Sequence, residues 1–414
     1  MKIYRNLVVE VINAVKEIFN ENRHADKVIE GVLRKNPKWG SHDRRFIAES
    51  TYDIVRWWRL LSEASGVEFQ ISGVEEKKIW IVFGHWCVMK EFQIPPWEEF
   101  NEIKKDEVLK NLNELRNIRK IRESVPDWMD DLGIKELGEE VWEKELTSLN
   151  MEAKVVIRVN ALKASKNEVK KRLENQGIVT FEIENSGFSP LYYSEDALIL
   201  NKRQNLFHLD EFREGLFEIQ DASSQAVAPF LKVMPGMRVV DACAGGGGKT
   251  LHLSALMKNR GKIIAMDTSQ WKLNELKKRA RRGGASNIET KWIESKKTIK
   301  RLNNSADRLL LDVPCSGLGV LKRNPDAKWK LSADFFEKIK TAQLEILENY
   351  SGIVKQGGIL VYATCSIFPS ENEKQVEKFI EFQKGKFEKI DEKKILPSMG
   401  FDGFYMAAMK RVLG

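Results

Sequence analysis

Cysteine is scarce in this chain. Four cysteines among 414 residues, Cys87, Cys243, Cys315 and Cys365, are too few and too scattered for a disulfide framework. Their spacings match no zinc knuckle and the five histidines do not cluster near them, so no metal is expected. Free thiols suit a reducing compartment. Long apolar runs are missing too. The opening stretch, residues 1–19, is amphipathic and is interrupted by Glu10 and Lys16, which excludes both a signal segment and a membrane span. A cytoplasmic monomer without membrane association is the expectation. Internal repeats and low-complexity linkers are also lacking.

Charge is abundant. Charged residues make up 31% and hydrophobic ones 42%, the balance of a soluble globular chain with room for about two to four domains. Lys and Arg number 68 against 60 Asp and Glu, a net charge of +8. That excess suits a polyanionic partner such as nucleic acid, and equally a merely basic protein.

Three zones differ in pattern. Residues 1–135 read as helical. Val8, Val11, Ile12, Val15, Ile18 and Phe19 recur at helical spacing, as do Phe46, Ile47, Tyr52, Ile54, Val55 and Trp58. Arg44, Arg45, Arg56 and Arg59 mark either an RNA-facing surface or a solvated helical face. After a break near Pro126, residues 136–212 read as a small α+β unit. It has a helix at 138–150 and strands at 155–159, 179–183 and 197–200. A capping box, Ser165-Lys166-Asn167-Glu168, opens a helix that ends near Gly177. Residues 213–414 alternate strand and helix. Apolar strands are expected at 238–241, 263–267, 291–293, 309–312 and 359–363, with helices at 249–258, 270–282, 334–355 and 371–383. This is an α/β pattern, a mostly parallel sheet covered on both faces. Residues 387–390 and 403–409 add a hairpin at one edge.

In such a sheet, ligands sit beyond the carboxyl ends of the strands. The first strand runs through Asp241 and Ala242 into Cys243, Ala244, Gly245, Gly246, Gly247, Gly248, Lys249 and Thr250. Glycines there let the backbone turn sharply and approach a ligand closely. The second strand ends in Asp267, placed to accept from both ribose hydroxyls of a nucleoside. A phosphate loop is excluded because Cys243 stands where the Walker pattern needs glycine. Asp241 alone would serve equally as a structural cap; with the glycines and Asp267 it indicates an adenosyl ligand.

Two further strands run into Asp312-Val313-Pro314-Cys315-Ser316 and Ala363-Thr364-Cys365-Ser366. Both cysteines fall just past neighbouring strand ends, in polar turns facing the glycine loop. Cys87 reads instead as a small buried hydrophobe. A thiol, a carboxylate and an adenosyl group together suit methylation of a pyrimidine carbon. Cytosine C5 is a poor nucleophile until a thiolate adds to C6, and an acid near N3, such as Asp312, aids that addition. The attacking thiol needs an electropositive neighbour, and Lys249 is the candidate. Position alone does not rank the two thiols.

The segments 215–225, 241–250, 312–330 and 364–366, with Asp402-Gly403-Phe404-Tyr405, resemble the motifs of the RsmB/NOP2/Sun RNA cytosine-C5 methyltransferases. Arg158-Val159-Asn160 is similar to that family's small RNA-binding subdomain. The first 130 residues loosely resemble the NusB-like helical extension of the bacterial ribosomal RNA enzymes. The resemblance implies a Rossmann-like methyltransferase domain that binds S-adenosylmethionine through residues 243–249, Asp267 and Asp312, with Glu294 as the adenine-side acid. It also implies that Cys365 attacks C6, that Cys315 assists release, and that Asp312 meets the cytosine edge. One departure is Gly246, where the family usually has proline; a more flexible loop is expected there. Lys322, Arg323, Lys328 and Lys330, directly after the Cys315 motif, are expected to grip RNA. The substrate implied is ribosomal RNA of the 16S type. The alternatives are tRNA, or a catalytically silent RNA-binding assembly factor.

Overall fold

Apolar residues at three- and four-residue spacing build the amino-terminal helices. Helix Arg5–Asn20 buries Val8, Val11, Ile12, Val15, Ile18 and Phe19, and Ser41–Arg56 buries Phe46, Ile47, Ile54 and Val55 against them. Trp58, Phe83 and Trp86 complete this core. The structure, a computed structural model, describes residues 3–183 and 194–412. It forms two units: Met1–Met151 with Leu321–Ala333, and Glu152–Val320 with Asp334–Gly414. The helix expected at 138–150, observed as Glu139–Leu149, falls in the first unit.

The segment 321–333 corrects an expectation. It is an internal strap of the helical unit and not an exposed basic loop. The Trp329 indole N–H donates to Val55 O at 2.7 Å, and its ring lies 5.5 Å from Phe69. Asp326 accepts from the backbone N–H of Ala25, which opens helix Ala25–Lys35, and from Lys330 Nζ at 2.6 Å. Lys330 also donates to Arg23 O. Lys322 and Lys328 are buried and Arg323 is half-buried. An ammonium inside the protein does not reach a phosphate, so the grip expected of Lys322 and Lys328 is withdrawn, while half-buried Lys330 is engaged by Asp326 and Arg23 O. Arg56 and Arg59 are likewise internal: Arg56 donates to Leu149 O and Lys322 O, and Arg59 to Val125 O and Asp127. Burial holds the Lys328 ammonium well below its ordinary pKa, with Arg56 adding to the effect. Among the described residues its one hydrogen bond, to Asn150 Oδ1, is long at 3.4 Å. Lys328→Met is therefore expected to raise unfolding stability by about 1 kcal/mol, because it removes a poorly compensated buried charge. Urea denaturation checks this; a fall of comparable size would show that the ammonium holds the strap in place.

The second unit begins with a small antiparallel sheet. Its strands are β1 (Val156–Val159), β2 (Thr180–Glu182), β3 (Ala197–Leu200) and β4 (Phe217–Ile219), in the order β2-β3-β1-β4. The Ser165 side chain accepts from the Glu168 N–H and caps helix Lys166–Glu174 as expected. Glu168 pairs with Arg172 four residues on.

The large sheet has β5 (Arg238–Asp241), β6 (Lys262–Asp267), β7 (Ile288–Trp292), β8 (Ala306–Asp312), β9 (Val354–Thr364), β10 (Phe387–Ile395) and β11 (Phe404–Arg411). Their order is β10-β11-β9-β8-β5-β6-β7, with β5 to β9 parallel and β11 antiparallel to both of its neighbours, β9 and β10. The hairpin lies at one edge, as the sequence implies. Apolar clusters cover both faces, one around Leu309, Leu311 and Tyr362, the other around Val239, Leu310 and Val361. Strand order reverses between β5 and β8, which opens a crevice at their carboxyl ends.

Candidate active site

Strand geometry places the acids first. Asp241 ends β5, Asp267 ends β6 and Asp312 ends β8, each where an apolar strand stops. Beyond β5 the chain turns through the glycine loop into helix Gly248–Leu256. Gly247 caps that helix at φ +89°, and a Cβ there would lie 2.5 Å from Leu276. Only glycine meets both demands. A cavity of about 300 Å³ results, lined by Gln220, Asp241, Cys243, residues 244–246, Gly248, Lys249, Arg279 and Asp312 among others.

The loop is braced, contrary to the flexibility expected of Gly246. Gly246 O accepts from Arg279 Nη1 at 2.6 Å, and Arg279 also pairs with buried Glu218 of β4. Gly245 N–H donates to Asp267 Oδ2 at 2.9 Å, and Ser269 N–H to Oδ1 at 2.7 Å. Buried Arg158 of β1 donates to Gly248 O at 2.6 Å and to Gln220. Charged side chains from the small sheet and from helix Gln270–Gly283 thus supply the rigidity that a proline would have given. Sequence reading gives Arg158 only as part of the small subdomain's motif and Arg279 no motif signal, so neither is expected at the ligand edge. Glu294 is exposed and does not line the cavity. The strand β7 ends at Trp292, whose indole N–H donates to Thr268 O, and Ile293 N–H closes onto Asp267 O, so Glu294 already lies outside.

Asp241 is fully buried and accepts from Thr250 Oγ1 at 2.7 Å, while its Oδ1 has no well-formed hydrogen bond. Burial pushes its carboxyl up to about 7, against the Thr250 bond that opposes the shift. Burial also holds the Cys243 thiol well above its ordinary range, reinforced by Asp241 and Asp312, so Cys243 stays a thiol.

The two remaining thiols meet. Cys315 Sγ and Cys365 Sγ are 3.1 Å apart, both free. Their turns are stitched together by Gly319, whose N–H donates to Cys365 O at 2.9 Å while its own O accepts from Gly403 N–H at 2.8 Å. A Cβ on Gly319 would lie 2.4 Å from Gly403 O and 2.7 Å from Cys365 O. Contact with Cys365, then burial, holds the Cys315 thiol well above its ordinary range. Cys315 therefore keeps its proton, and either sulfur of the pair can donate to the other. Lys249 Nζ pairs with Asp312 Oδ2 at 2.6 Å and lies 5.1 Å over the Phe404 ring. Burial pulls this ammonium down, but the charge and hydrogen bond of Asp312, with Cys365 behind them, raise it overall. A permanent cation thus stands on the cysteine side of the cavity. Behind the thiols lies Glu371, buried and six residues past Cys365, which no spacing rule singled out.

These groups fit an adenosyl ligand. Glycine backbone approaches closely, Asp241 offers an acceptor without a good donor, and Asp267 stands at the second strand end. Fold and site together define an S-adenosylmethionine-dependent methyltransferase. A family model described as 16S rRNA methyltransferase RsmB/F matches residues 228–410, and the family's ferredoxin-like domain matches 125–206. A probable ribosomal RNA small subunit methyltransferase B from Synechocystis is 30% identical over 399 residues, 89% of this chain and 87% of that protein. The ribosomal RNA small subunit methyltransferase B of Vibrio cholerae is 32% identical over 300 residues, 69% of this chain and 65% of that protein. A solved methyltransferase homolog from Pyrococcus horikoshii superposes with a TM-score of 0.61 at 26% identity, covering 71% of this chain and 98% of its own. The chain belongs to the RsmB/NOP2/Sun family and is an S-adenosylmethionine-dependent RNA methyltransferase.

The raised Asp241 carboxyl has a consequence for cofactor binding. Between its ordinary value of 3.8 and about 7, the ligand-free protein holds a proton there that the unfolded chain does not. That contribution to stability is complete below the ordinary value and is lost as pH rises through about 7. S-adenosylmethionine is cationic at its sulfonium and amine, and a cation favours the ionised acid. Binding at pH 6 should release a proton, and affinity should rise with pH and level off above about 7. Calorimetry at pH 6 in two buffers of different ionisation enthalpy reads the release. Proton uptake, or a flat profile, would contradict it.

Proposed function

We propose that this chain methylates C5 of cytosine in small-subunit ribosomal RNA through a covalent adduct on Cys365. The observation that carries the chemistry is the thiol pair at 3.1 Å beside the Lys249–Asp312 ion pair. The names of the relatives support the RNA class. The loop 243–249 would hold the cofactor with Asp241, and Asp267 would take its ribose. When bound, S-adenosylmethionine supplies an electrophilic methyl group.

The residues of this chain do the rest. The target base leaves its stack to reach the crevice. A carboxylate paired with an ammonium only accepts, so Asp312 takes an N–H of the exocyclic amine. The ammonium of Lys249 donates toward N3 and stabilises the charge that develops on the ring. The same cation stands near Cys365, the nucleophile. Its Sγ bonds to C6, and C5 becomes nucleophilic. After methylation the C5 proton passes to solvent and its electron pair re-forms the C5–C6 double bond. Sγ leaves C6 with the S–C6 pair while the Cys315 thiol donates a hydrogen bond to it. Bisulfite sequencing of total RNA with and without this gene tests the assignment. Loss of protection at a small-subunit ribosomal cytosine is expected; loss confined to tRNA, or no change at all, would refute it.

A further inference from the structure

We infer that Glu371 is the positioning residue of the thiol pair, an anionic clamp that fastens the Cys315 turn to the Cys365 turn. The inference rests on the reading of Cys365 and Cys315 as the working thiols.

The carboxylate is fully buried and faces donors on every side. Ser316, directly after Cys315, gives its N–H to Oε1 at 2.8 Å and its Oγ–H to Oε2 at 2.5 Å. Ser366, directly after Cys365, donates its Oγ–H to Oε2. Gln343, from helix Ala333–Tyr350, donates to Oε1 at 3.0 Å and to Pro314 O at 3.0 Å. Four donors meet about four lone-pair sites, the full capacity of a carboxylate. No acid of the catalytic set makes these bonds; Asp312 is taken by Lys249. Neighbouring Asn372 adds a second tie, donating to Ser366 O at 3.1 Å and accepting from Thr364 Oγ1 at 2.5 Å.

The clamp has two effects. It fixes the geometry, because each cysteine is one residue from a serine held on the same carboxylate. It also sets a negative charge behind the thiols, which disfavours a second anion at Cys315. The other titratable group packed there, Tyr362, donates its OH to Glu371 O at 2.6 Å and stays neutral, its own ionisation opposed by burial and by the Glu371 charge. Cys315 is therefore held as a thiol facing Cys365.

The test combines kinetics with thiol chemistry. Glu371→Gln keeps the shape, removes the charge and offers one acceptor oxygen in place of two. Turnover is expected to fall about 100-fold with KM for S-adenosylmethionine within about twofold, since the lost bonds are charge-assisted and remote from the cofactor loop. Iodoacetamide alkylation, followed for each cysteine by peptide mass spectrometry, should show the Cys315 midpoint moving down by about one pH unit. Glu371→Asp should recover that midpoint but only part of the turnover, because it restores the charge without the reach. If Glu371→Gln does not fold, Ser366→Ala loosens one strut and leaves the charge, and about a tenfold loss of turnover with an unmoved Cys315 midpoint is expected. Parent-like turnover and alkylation in whichever variant folds would overturn the inference. Alkylation is read without RNA, so a shifted midpoint in a protein that never modifies cytosine would sink the proposed function and leave the clamp standing.

Discussion

Cys315→Ala is expected to purify with RNA covalently attached through Cys365, and Cys365→Ala to purify free of RNA. Turnover in Cys365→Ala should fall on the order of 10⁴-fold or more, as when other enzymes lose their nucleophile. The asymmetry follows from the proton. On the proposed mechanism Cys365 Sγ, once bonded to C6, must leave again, and the thiol 3.1 Å away that would assist it is Cys315. Removing that donor leaves Lys249 and Asp312 in place to promote addition while departure loses its acid. Denaturing gels of the two purified variants, with and without ribonuclease, read the difference. Trapping by Cys365→Ala and none by Cys315→Ala would reverse the roles.

Trp329→Ala is expected to destabilise the helical unit by about 3–5 kcal/mol, the range for truncating a buried aromatic ring. Trp329 is only 5% exposed, packs in the core built by the amino-terminal helices, and loses its bond to Val55 O on truncation. Trp329→Phe should keep most of the packing and cost about 1 kcal/mol for the hydrogen bond. The strap leaves the chain at Leu321, one residue after the 3₁₀ turn Leu318–Val320 that holds Gly319 against Cys365. Urea denaturation followed by tryptophan fluorescence measures the effect. An unchanged midpoint for Trp329→Ala would mean that the strap does not belong to that core.

The ligand edge was legible because apolar runs stop abruptly at Asp241, Asp267 and Asp312, and each stop coincides with a strand end. The apolar pattern sets β7 at 291–293, later than the observed Ile288–Trp292. It is an edge strand with mostly polar, half-exposed residues, so Ile288 to Lys291 show no apolar run. The helix expected at 334–355 stops at Tyr350, because Ser351–Ile353 forms a 3₁₀ turn and Val354 opens β9. The apolar Ile353 and Val354 fell in phase with the helix and hid that boundary. The strap misled for a different reason. A lysine-rich segment after a catalytic motif reads as an RNA grip, and nothing local signals that Lys328 is buried near Arg56 and donates to Asn150, both distant in sequence. Glu371 was silent in the same way, since the serines it holds are ordinary turn residues until the fold brings them together.

Cys365 is the thiol proposed to bond to cytosine C6. The most direct measurement incubates the purified protein with S-adenosylmethionine and small-subunit ribosomal RNA containing 5-azacytidine. The trapped complex is then digested and the nucleotide-bearing peptide sequenced by mass spectrometry. The expected result is a single modified peptide carrying the nucleotide on Cys365. A nucleotide on Cys315, or on neither cysteine, would contradict the claim.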